Sequence, residues 1–444
     1  MIPTGDERGD GAALLRLAVP LAAQQVGFVA MGVVDALLLG RYSDAALAGA
    51  GVGNNLLFGI TCIGMGIVMG LDTIVPQALG AGRREDARRA LDAGIRLAIL
   101  VGLLCTLVTF ATPLVLGVAG VAPEVVHEAR PYVYLRALGI VPFLVTIAFR
   151  SYLAANHRTR PLVIAVVVGN LVNAALDLAL IYGVPAVGLP ALGVIGAAIA
   201  TTVVQLLTVA LFIAAARDLH GGAPRPRSTG ADLAAIARYG GPVGAQLFAE
   251  VGIFAVATVC AARLGEHPAD AHSIALNLSS FTFSFAVGVA SATSVRVGHA
   301  VGAGDLPLAR RRGLLGLRVG LAGMGCFAAL FVIVPAALAS AFTSDHAVIA
   351  QTVTLLQIAA VFQLSDGTQA IGAGALRGLG DTRSTLVANL VGHYVVGLPI
   401  MLALAFGAAM GAPGLWWGLS SGLTVTAVYL VARFVAGTRT PTRS

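Results

Sequence analysis

The feature that most constrains this chain is a succession of apolar runs, each close to twenty residues long and nearly free of charge. The hydrocarbon core of a bilayer is about 30 Å thick, and a helix needs roughly 20 apolar residues to cross it. Of the 444 residues, 57% are hydrophobic and only 11% are charged, a balance far from that of soluble globular domains. The sequence therefore predicts an all-α polytopic membrane protein.

Arginine clusters and Gly/Pro punctuation divide the apolar runs into twelve predicted transmembrane helices. We expect them to begin near residues 13, 46, 91, 131, 161, 190, 238, 271, 313, 346, 384 and 413. All 28 basic residues are arginines, and they gather in every second loop. Because positive charge accumulates in cytoplasmic loops, we expect a multi-pass protein of the cell membrane with both termini in the cytoplasm. The net charge of +7 therefore does not indicate a nucleic-acid partner.

The longest polar connection divides the chain almost in half. Residues 217–237 are rich in Gly and Pro and predict a cytoplasmic linker. We therefore expect an N-lobe with helices one to six at residues 1–216 and a C-lobe with helices seven to twelve at residues 238–444.

The two halves are also similar in sequence. A shift of 222 residues carries Pro20 to Pro242 and Asn55 to Asn277. Six helices per half return the second copy to the orientation of the first, so the repeat is parallel. Two like six-helix lobes related by pseudo-symmetry indicate a transporter with a central cavity.

Four carboxylates lie inside predicted helices: Asp35, Asp177, Glu250 and Asp366. A charge at a helix centre costs ~2.5–3.5 kcal/mol on insertion scales, so each of these acids requires a reason. At about 1.5 Å of rise per residue, Asp35 and Asp177 share a depth in the outer half of the N-lobe. Glu250 and Asp366 share a depth near the midplane of the C-lobe. Matched carboxylates in low dielectric can bind a hard cation or a proton, whereas the alternative role is to join helices through hydrogen bonds.

Amide and hydroxyl side chains accompany the acids or occupy repeat-related positions. The candidates are Gln24, Asn55, Asn173, Thr201, Gln246, Asn277 and Gln363. Asn173 precedes Asp177 by one helical turn, and Thr201 is a candidate for supporting the same N-lobe site. The other five are expected to line the cavity, with interhelical hydrogen bonding as the alternative.

Several longer segments occur in a specific order along the chain. They are GAGRREDARRA, TRPL followed by NLVNAALDLALIYG, GVIGAAIAT, GGPVGAQLFAE, SATSVRVGHAVGAGD and GALRGLGDTR. With Pro20 and Asp35 ahead of them, these segments resemble the multidrug and toxic compound extrusion (MATE) transporters of the bacterial multidrug efflux type, over essentially the whole chain.

The resemblance implies export of small organic compounds, often cationic or amphipathic, by alternating access in exchange for Na+ or H+. It assigns Asp35, Asn173, Asp177 and Thr201 to an N-lobe coupling site and Glu250 and Asp366 to a C-lobe coupling site. No cofactor is implied, and no metal beyond Na+ at these sites. The chain departs from the family pattern at Arg150, where a polar amide is common, and a permanent positive charge there would compete with a bound cation.

Other functions remain as alternatives. A flippase for lipid-linked oligosaccharides, from the same superfamily, would need a basic cavity for pyrophosphate, whereas the embedded charges here are mainly acidic. An intramembrane enzyme would need a constellation such as a Ser/His pair or HExxH, and the sequence shows none. A non-transporting membrane scaffold would leave the costly acids unexplained. We therefore expect a transporter that is not an enzyme, acts as a monomer in the bilayer and has no nucleic-acid partner.

Overall fold

The computed structural model of the protein describes residues 7–118, 120, 122–220 and 226–439. The α-helices within them are α1 (Glu7–Tyr42), α2 (Asp44–Val68), α3 (Leu71–Gly80), α4 (Arg84–Val118), α5 (Pro123–Ala137), α6 (Ile140–Ala155), α7 (Arg160–Tyr182), α8 (Val194–His220), α9 (Gly230–Arg263), α10 (Glu266–Gly302), α11 (Leu306–Ile333), α12 (Pro335–Ser340), α13 (His346–Leu379), α14 (Thr382–Leu390), α15 (Leu398–Leu402) and α16 (Ala412–Gly437). Two π-helical segments, Val391–Gly397 and Ala403–Gly407, continue the helix on either side of α15.

The described helices are long and apolar enough to account for the predicted membrane spans. Eleven segments qualify by themselves, and the bent pair of α5 and α6 makes a twelfth. α2 and α3 together form one span, and so do α14, α15 and the two π-helical segments. The prediction of an all-α polytopic membrane protein is therefore confirmed.

Ten of the twelve spans begin one to eight residues earlier than predicted, whereas α13 begins at the predicted residue 346 and α8 begins four residues after the predicted residue 190. The largest differences are at Pro123, predicted near 131, and at Gly230, predicted near 238. The first turn of α9 contains the charged Asp232. A search for apolar runs leaves this turn out of the helix, although an acid is favourable at a helix N-terminus. The last residues of the expected linker, 230–237, are therefore helical, and its residues 221–225 lie outside the described part of the chain.

Aspartate side chains cap three helices of the C-terminal half. Asp305 accepts from the backbone N–H of Leu308 at 2.8 Å, at the start of α11. Asp345 does the same for Ala347 at 2.7 Å, at the start of α13. Each bond satisfies a backbone donor that has no partner within the helix. The third cap is Asp381, at the start of α14.

The span formed by α5 and α6 bends by 45°. At the bend, the N–H of Leu138 bonds to the carbonyl of Leu135 and the N–H of Gly139 bonds to the carbonyl of Arg136, so the last turn of α5 is tightened. The bend changes the direction of the span immediately after Arg136.

The chain divides into two compact units. The first consists of the described residues of Met1–Gln25, Pro76–Gly82 and Ala245–Ser444, and the second consists of Val26–Val75 and the described residues of Arg83–Gly244. The first part of α1 thus belongs with the C-terminal half of the sequence, and the first part of α9 belongs with the N-terminal half.

Each unit contains a close helix contact at repeat-related positions. In the second unit, Gly66 of α2 packs against the backbone of Gly244 in α9 without room for a Cβ. In the first unit, Gly288 of α10 packs in the same way against the backbone of Ala22 in α1. Both residue pairs obey the shift of 222 residues, since 288 less 66 and 244 less 22 give that number. The repeat is therefore present in the helix packing, where small residues permit close approach.

Candidate functional site

Asp35 in α1, Asn173 and Asp177 in α7, and Thr201 in α8 lie together in the second unit, and we call these four residues the first acidic site. The Thr201 hydroxyl donates to Asp35 Oδ2 at 3.1 Å. Asp35 and Asp177 interact electrostatically, and Asn173 is a further polar neighbour of Asp35. Asn173 and Asp177 are four residues apart, so both project from one face of α7.

The first acidic site contains buried polar atoms without partners. Asp177 is 0% exposed and Asn173 is 1% exposed. Asp35 Oδ1, both carboxyl oxygens of Asp177 and both side-chain polar atoms of Asn173 have no hydrogen-bond partner among the described residues. Such atoms are costly inside a membrane unless something binds them. Carboxylate and carboxamide oxygens are suitable ligands for a hard cation, and a carboxylate can also take up a proton.

Arg136 in α5 also belongs to this region, and sequence analysis missed it. Arg136 interacts electrostatically with Asp35. Its guanidinium carbon lies 5.9 Å from the centre of the Tyr132 ring, one turn earlier on the same helix. The predicted start near 131 placed Arg136 in the first turns of the span, whereas the helix begins at Pro123. The rule that identified the membrane acids would also have identified this arginine had the span been placed correctly.

Arg150, which the resemblance associated with the N-lobe site, lies in α6 and is 9% exposed. The arginine that interacts with Asp35 is Arg136, on the other side of the bend. The concern that a fixed positive charge competes with a bound cation therefore applies to Arg136.

A second acidic site lies in the first unit, and it consists of Gln246 and Glu250 of α9, Asp366 and Gln369 of α13, and Asn389 of α14. Glu250 Oε1 accepts three hydrogen bonds from side-chain amides. The donors are Gln246 Nε2 at 3.0 Å, Gln369 Nε2 at 2.6 Å and Asn389 Nδ2 at 2.5 Å. The first donor is one turn away on the same helix, and the other two come from different helices.

Asp366 is 7% exposed and interacts electrostatically with Glu250, so the two acids predicted to share a depth are near each other. Arg377, three turns further along α13, also acts electrostatically on Glu250. Two neighbouring carboxyls repel each other when both are charged, and a cation or a proton relieves that repulsion. The second acidic site can therefore also take up one of these ions.

The remaining predicted residues are placed as follows. Gln24 is buried in the first unit, and its Oε1 has no partner among the described residues. Gln363 donates to the hydroxyl of Thr282 and so joins α13 to α10. Asn277 is exposed and bonds to the carbonyl of Ser273 in its own helix, at 2.9 Å. Asn55 is also exposed. A role of these residues in lining a cavity stays a prediction.

Asn389 is a second residue that sequence reasoning missed. Its bond to Glu250 connects residues 139 positions apart, and no spacing or repeat relation in the sequence points to it. Gln369 follows Asp366 by three residues, so its proximity to that acid could be anticipated, whereas its bond to Glu250 could not.

Comparison with known proteins identifies the family. The model of the MatE family matches residues 20–179 and 242–402. The two segments begin 222 residues apart, 242 less 20, which is the shift of the repeat. The probable multidrug resistance protein NorM of Pseudomonas putida is 36% identical over 435 residues, covering 95% of this chain and 93% of that protein. The protein of the same name from Deinococcus radiodurans is 35% identical over 447 residues, with 98% of each chain covered.

A solved structure shows the same fold. The crystal structure of the eukaryotic MATE transporter AtDTX14 matches with a TM-score of 0.88 and 21% identity, over 96% of each chain. At that identity the likeness concerns the fold alone. Since the family model matches both halves of the sequence and the bacterial relatives match over nearly their whole length, the chain belongs to the MatE family of membrane transporters.

Proposed function

We propose that the protein is a secondary active multidrug exporter, which moves small organic compounds out of the cell in exchange for Na+ or H+. The compounds are expected to be cationic or amphipathic. The relatives from Pseudomonas putida and Deinococcus radiodurans carry the name of multidrug resistance proteins, which supports export of drug-like molecules.

The observation that carries the proposal is the set of unpaired oxygens at the first acidic site. Asp177 and Asn173 are buried inside a membrane span, and their polar atoms have no partner in the described part of the chain. A purely structural role would place hydrogen bonds between these atoms and neighbouring helices. Uptake of a monovalent cation or a proton satisfies the oxygens and gives them a function.

Coupling follows from differential affinity. If an ion binds more tightly in the outward-facing state and an organic cation more tightly in the inward-facing state, each favours the conformation that releases the other. Asp35 and Asp177 in one unit, and Glu250 and Asp366 in the other, are the groups we assign to ion uptake. The proposal further places both termini in the cytoplasm and treats one chain as a complete transport pathway.

Transport by the purified protein in liposomes tests the proposal. A fluorescent organic cation is loaded, and Na+ and proton gradients are imposed separately. The variants Asp35→Asn, Asp177→Asn, Glu250→Gln and Asp366→Asn are compared with wild type. Glu124→Gln and Glu266→Gln are matched controls, because both acids are exposed at helix starts.

We expect transport to follow one gradient and to fall by at least tenfold in each of the four variants, while the two controls resemble wild type. Transport that persists when all four acids are neutralised together would contradict the coupling mechanism. Transport that follows neither gradient would contradict antiport itself and would favour movement of a lipid-linked substrate.

A further inference from the structure

Arg136 is an unusual residue to find beside a cation site. It lies at the end of α5, in the turn that precedes the 45° bend, and its guanidinium approaches the ring of Tyr132. Tyr132 is 5% exposed, so the ring that Arg136 approaches is buried in the protein. A guanidinium keeps its charge at every accessible pH, so this positive charge is permanent.

Two donor groups of Arg136 are unused. Its Nε and Nη1 atoms are buried and have no hydrogen-bond partner among the described residues. Arg136 also forms no ion pair within 4.0 Å among the described residues, although it interacts electrostatically with Asp35. Arg136 is half-buried, and a structural arginine in a membrane protein is normally paired, since a charge without a partner is expensive there.

The other half of the repeat has no such charge. The shift of 222 residues carries Arg136 to Ile358 in α13, and a shift of 223 carries it to Ala359. The six-helix architecture therefore does not require a cation at this position. The first acidic site and Arg136 together hold two carboxyls and one guanidinium, so a single monovalent cation brings their formal charge to zero.

We propose that Arg136 determines the ion affinity of the first acidic site: it is a tethered cation that competes with the coupling ion for Asp35. This inference rests on the proposed ion-coupled function and adds the residue that makes the ion easy to release. A fixed positive charge next to the site raises the free energy of any second cation there, whether Na+ or H+. The unused donors of Arg136 can bond to Asp35 when the ion leaves, which favours the ion-free state.

The expected consequence is a split between affinity and turnover. Loss of the charge at position 136 should lower the half-saturating concentration of the driving ion by at least tenfold. It should also lower the maximal transport rate, because release of the ion becomes slower. If Arg136 only held the bend in place, its replacement would reduce transport without lowering the half-saturating concentration of the ion.

The test measures the initial transport rate against the concentration of the driving ion in liposomes, for Arg136→Gln, Arg136→Met and Arg136→Lys. Two neutral variants are used so that, if one fails to fold, the other still tests the loss of charge. The lysine variant keeps the charge and should stay within about threefold of wild type. Arg130→Gln is the matched control, since Arg130 is exposed on the same helix. If the driving ion is the proton, the titratable neighbours to consider are Asp35, Asp177 and Tyr132.

A half-saturating concentration that is unchanged or higher in both neutral variants would overturn the proposal, provided that wild type is ion-driven. The proposal would also be overturned if Arg136→Lys lowered the half-saturating ion concentration as much as Arg136→Gln. Failure of the proposed function is seen separately, because wild type would then show no dependence on either ion before any arginine variant is measured.

Discussion

The two acidic sites differ in what their carboxylates already bind within the protein. At the first site, Asp177 is completely buried and neither of its oxygens has a partner among the described residues. At the second site, one oxygen of Glu250 accepts hydrogen bonds from three amides. Within the described residues, the first site therefore leaves oxygens available to an ion or a proton, whereas the second is organised by its own side chains.

The sequence repeat makes this difference instructive. The contact between Gly66 and Gly244 recurs 222 residues away, as the contact between Gly288 and Ala22. The same shift carries Asp35 to Ala257 and Glu250 back to Phe28. The two halves thus retain the packing that allows helices to approach and differ in the chemistry placed between them. The acids of one site can therefore be replaced without changing the residues of the other.

The largest effect on stability is expected for Glu250→Ala. Removing the shared acceptor leaves the amide donors of Gln246, Gln369 and Asn389 buried without it, and each such donor costs about 1–3 kcal/mol. Because the amides can partly find other partners, we expect a loss of about 3 kcal/mol in total. The apparent thermal midpoint of the purified protein measures this loss, and Glu250→Gln, which keeps an acceptor oxygen, should lose less. Wild-type stability in the alanine variant would show that the three bonds do not organise the site.

At the first site, Asp177→Leu is expected to act in the opposite direction. The leucine removes a buried carboxyl whose oxygens have no hydrogen-bond partner among the described residues, and leaving such a group unsatisfied costs about 1–3 kcal/mol. We expect a gain of about 2 kcal/mol in the free energy of unfolding together with complete loss of ion-driven transport.

Asp177→Asn is the control for this prediction, because it removes the charge and keeps a polar group. It should lose transport without the gain in stability. Destabilisation by Asp177→Leu would mean that the carboxyl has structural partners, and the contrast between the two sites would fail.

A smaller effect is expected at Thr201. Its one hydroxyl proton can be donated either to Asp35 Oδ2, at 3.1 Å, or to the carbonyl of Ala197, at 3.0 Å. A hydrogen bond to a charged group contributes about 1.5–3 kcal/mol and stabilises the ion-free carboxylate of Asp35, so Thr201→Val should strengthen ion binding by about tenfold. Thr201→Ser keeps the hydroxyl and should retain the wild-type affinity. Measured ion dependence of transport tests this, and equal affinities in the valine and serine variants would exclude the hydroxyl from the site.

Much of the fold follows from the sequence, because the contrast between apolar spans and arginine-rich loops is strong. The acids were identified by the cost of burying charge, which requires no knowledge of tertiary contacts. The partners of those acids were harder to predict. Thr201 and Asp35 are 166 residues apart, and Asn389 and Glu250 are 139 apart, so only the packing of helices brings them together. Arg136 was missed because the start of its helix was placed eight residues too late.

The smallest effect concerns the start of α14, outside the acidic sites, where the halves of the repeat again differ. Asp381 accepts from the N–H of Ser384 at 3.2 Å and from Nε of Arg433 at 2.8 Å. The residue 222 positions earlier is Thr159, whose side chain does not cap α7. Burial alone would raise the pKa of Asp381, but the hydrogen bonds from Arg433 and Ser384 outweigh it and hold the pKa below its ordinary value.

Asp381→Ala should therefore cost about 1 kcal/mol, and Asp381→Asn, which preserves the cap, should cost less. A carboxyl with a lowered pKa in the folded state stabilises the protein above its unfolded pKa of about 3.9, and that contribution disappears as the pH falls through the folded value. The difference in thermal midpoint between wild type and Asp381→Ala should be constant from pH 5 to pH 7 and should shrink below about pH 4. A difference that persists unchanged at low pH would show that the charge of Asp381 contributes nothing to the cap.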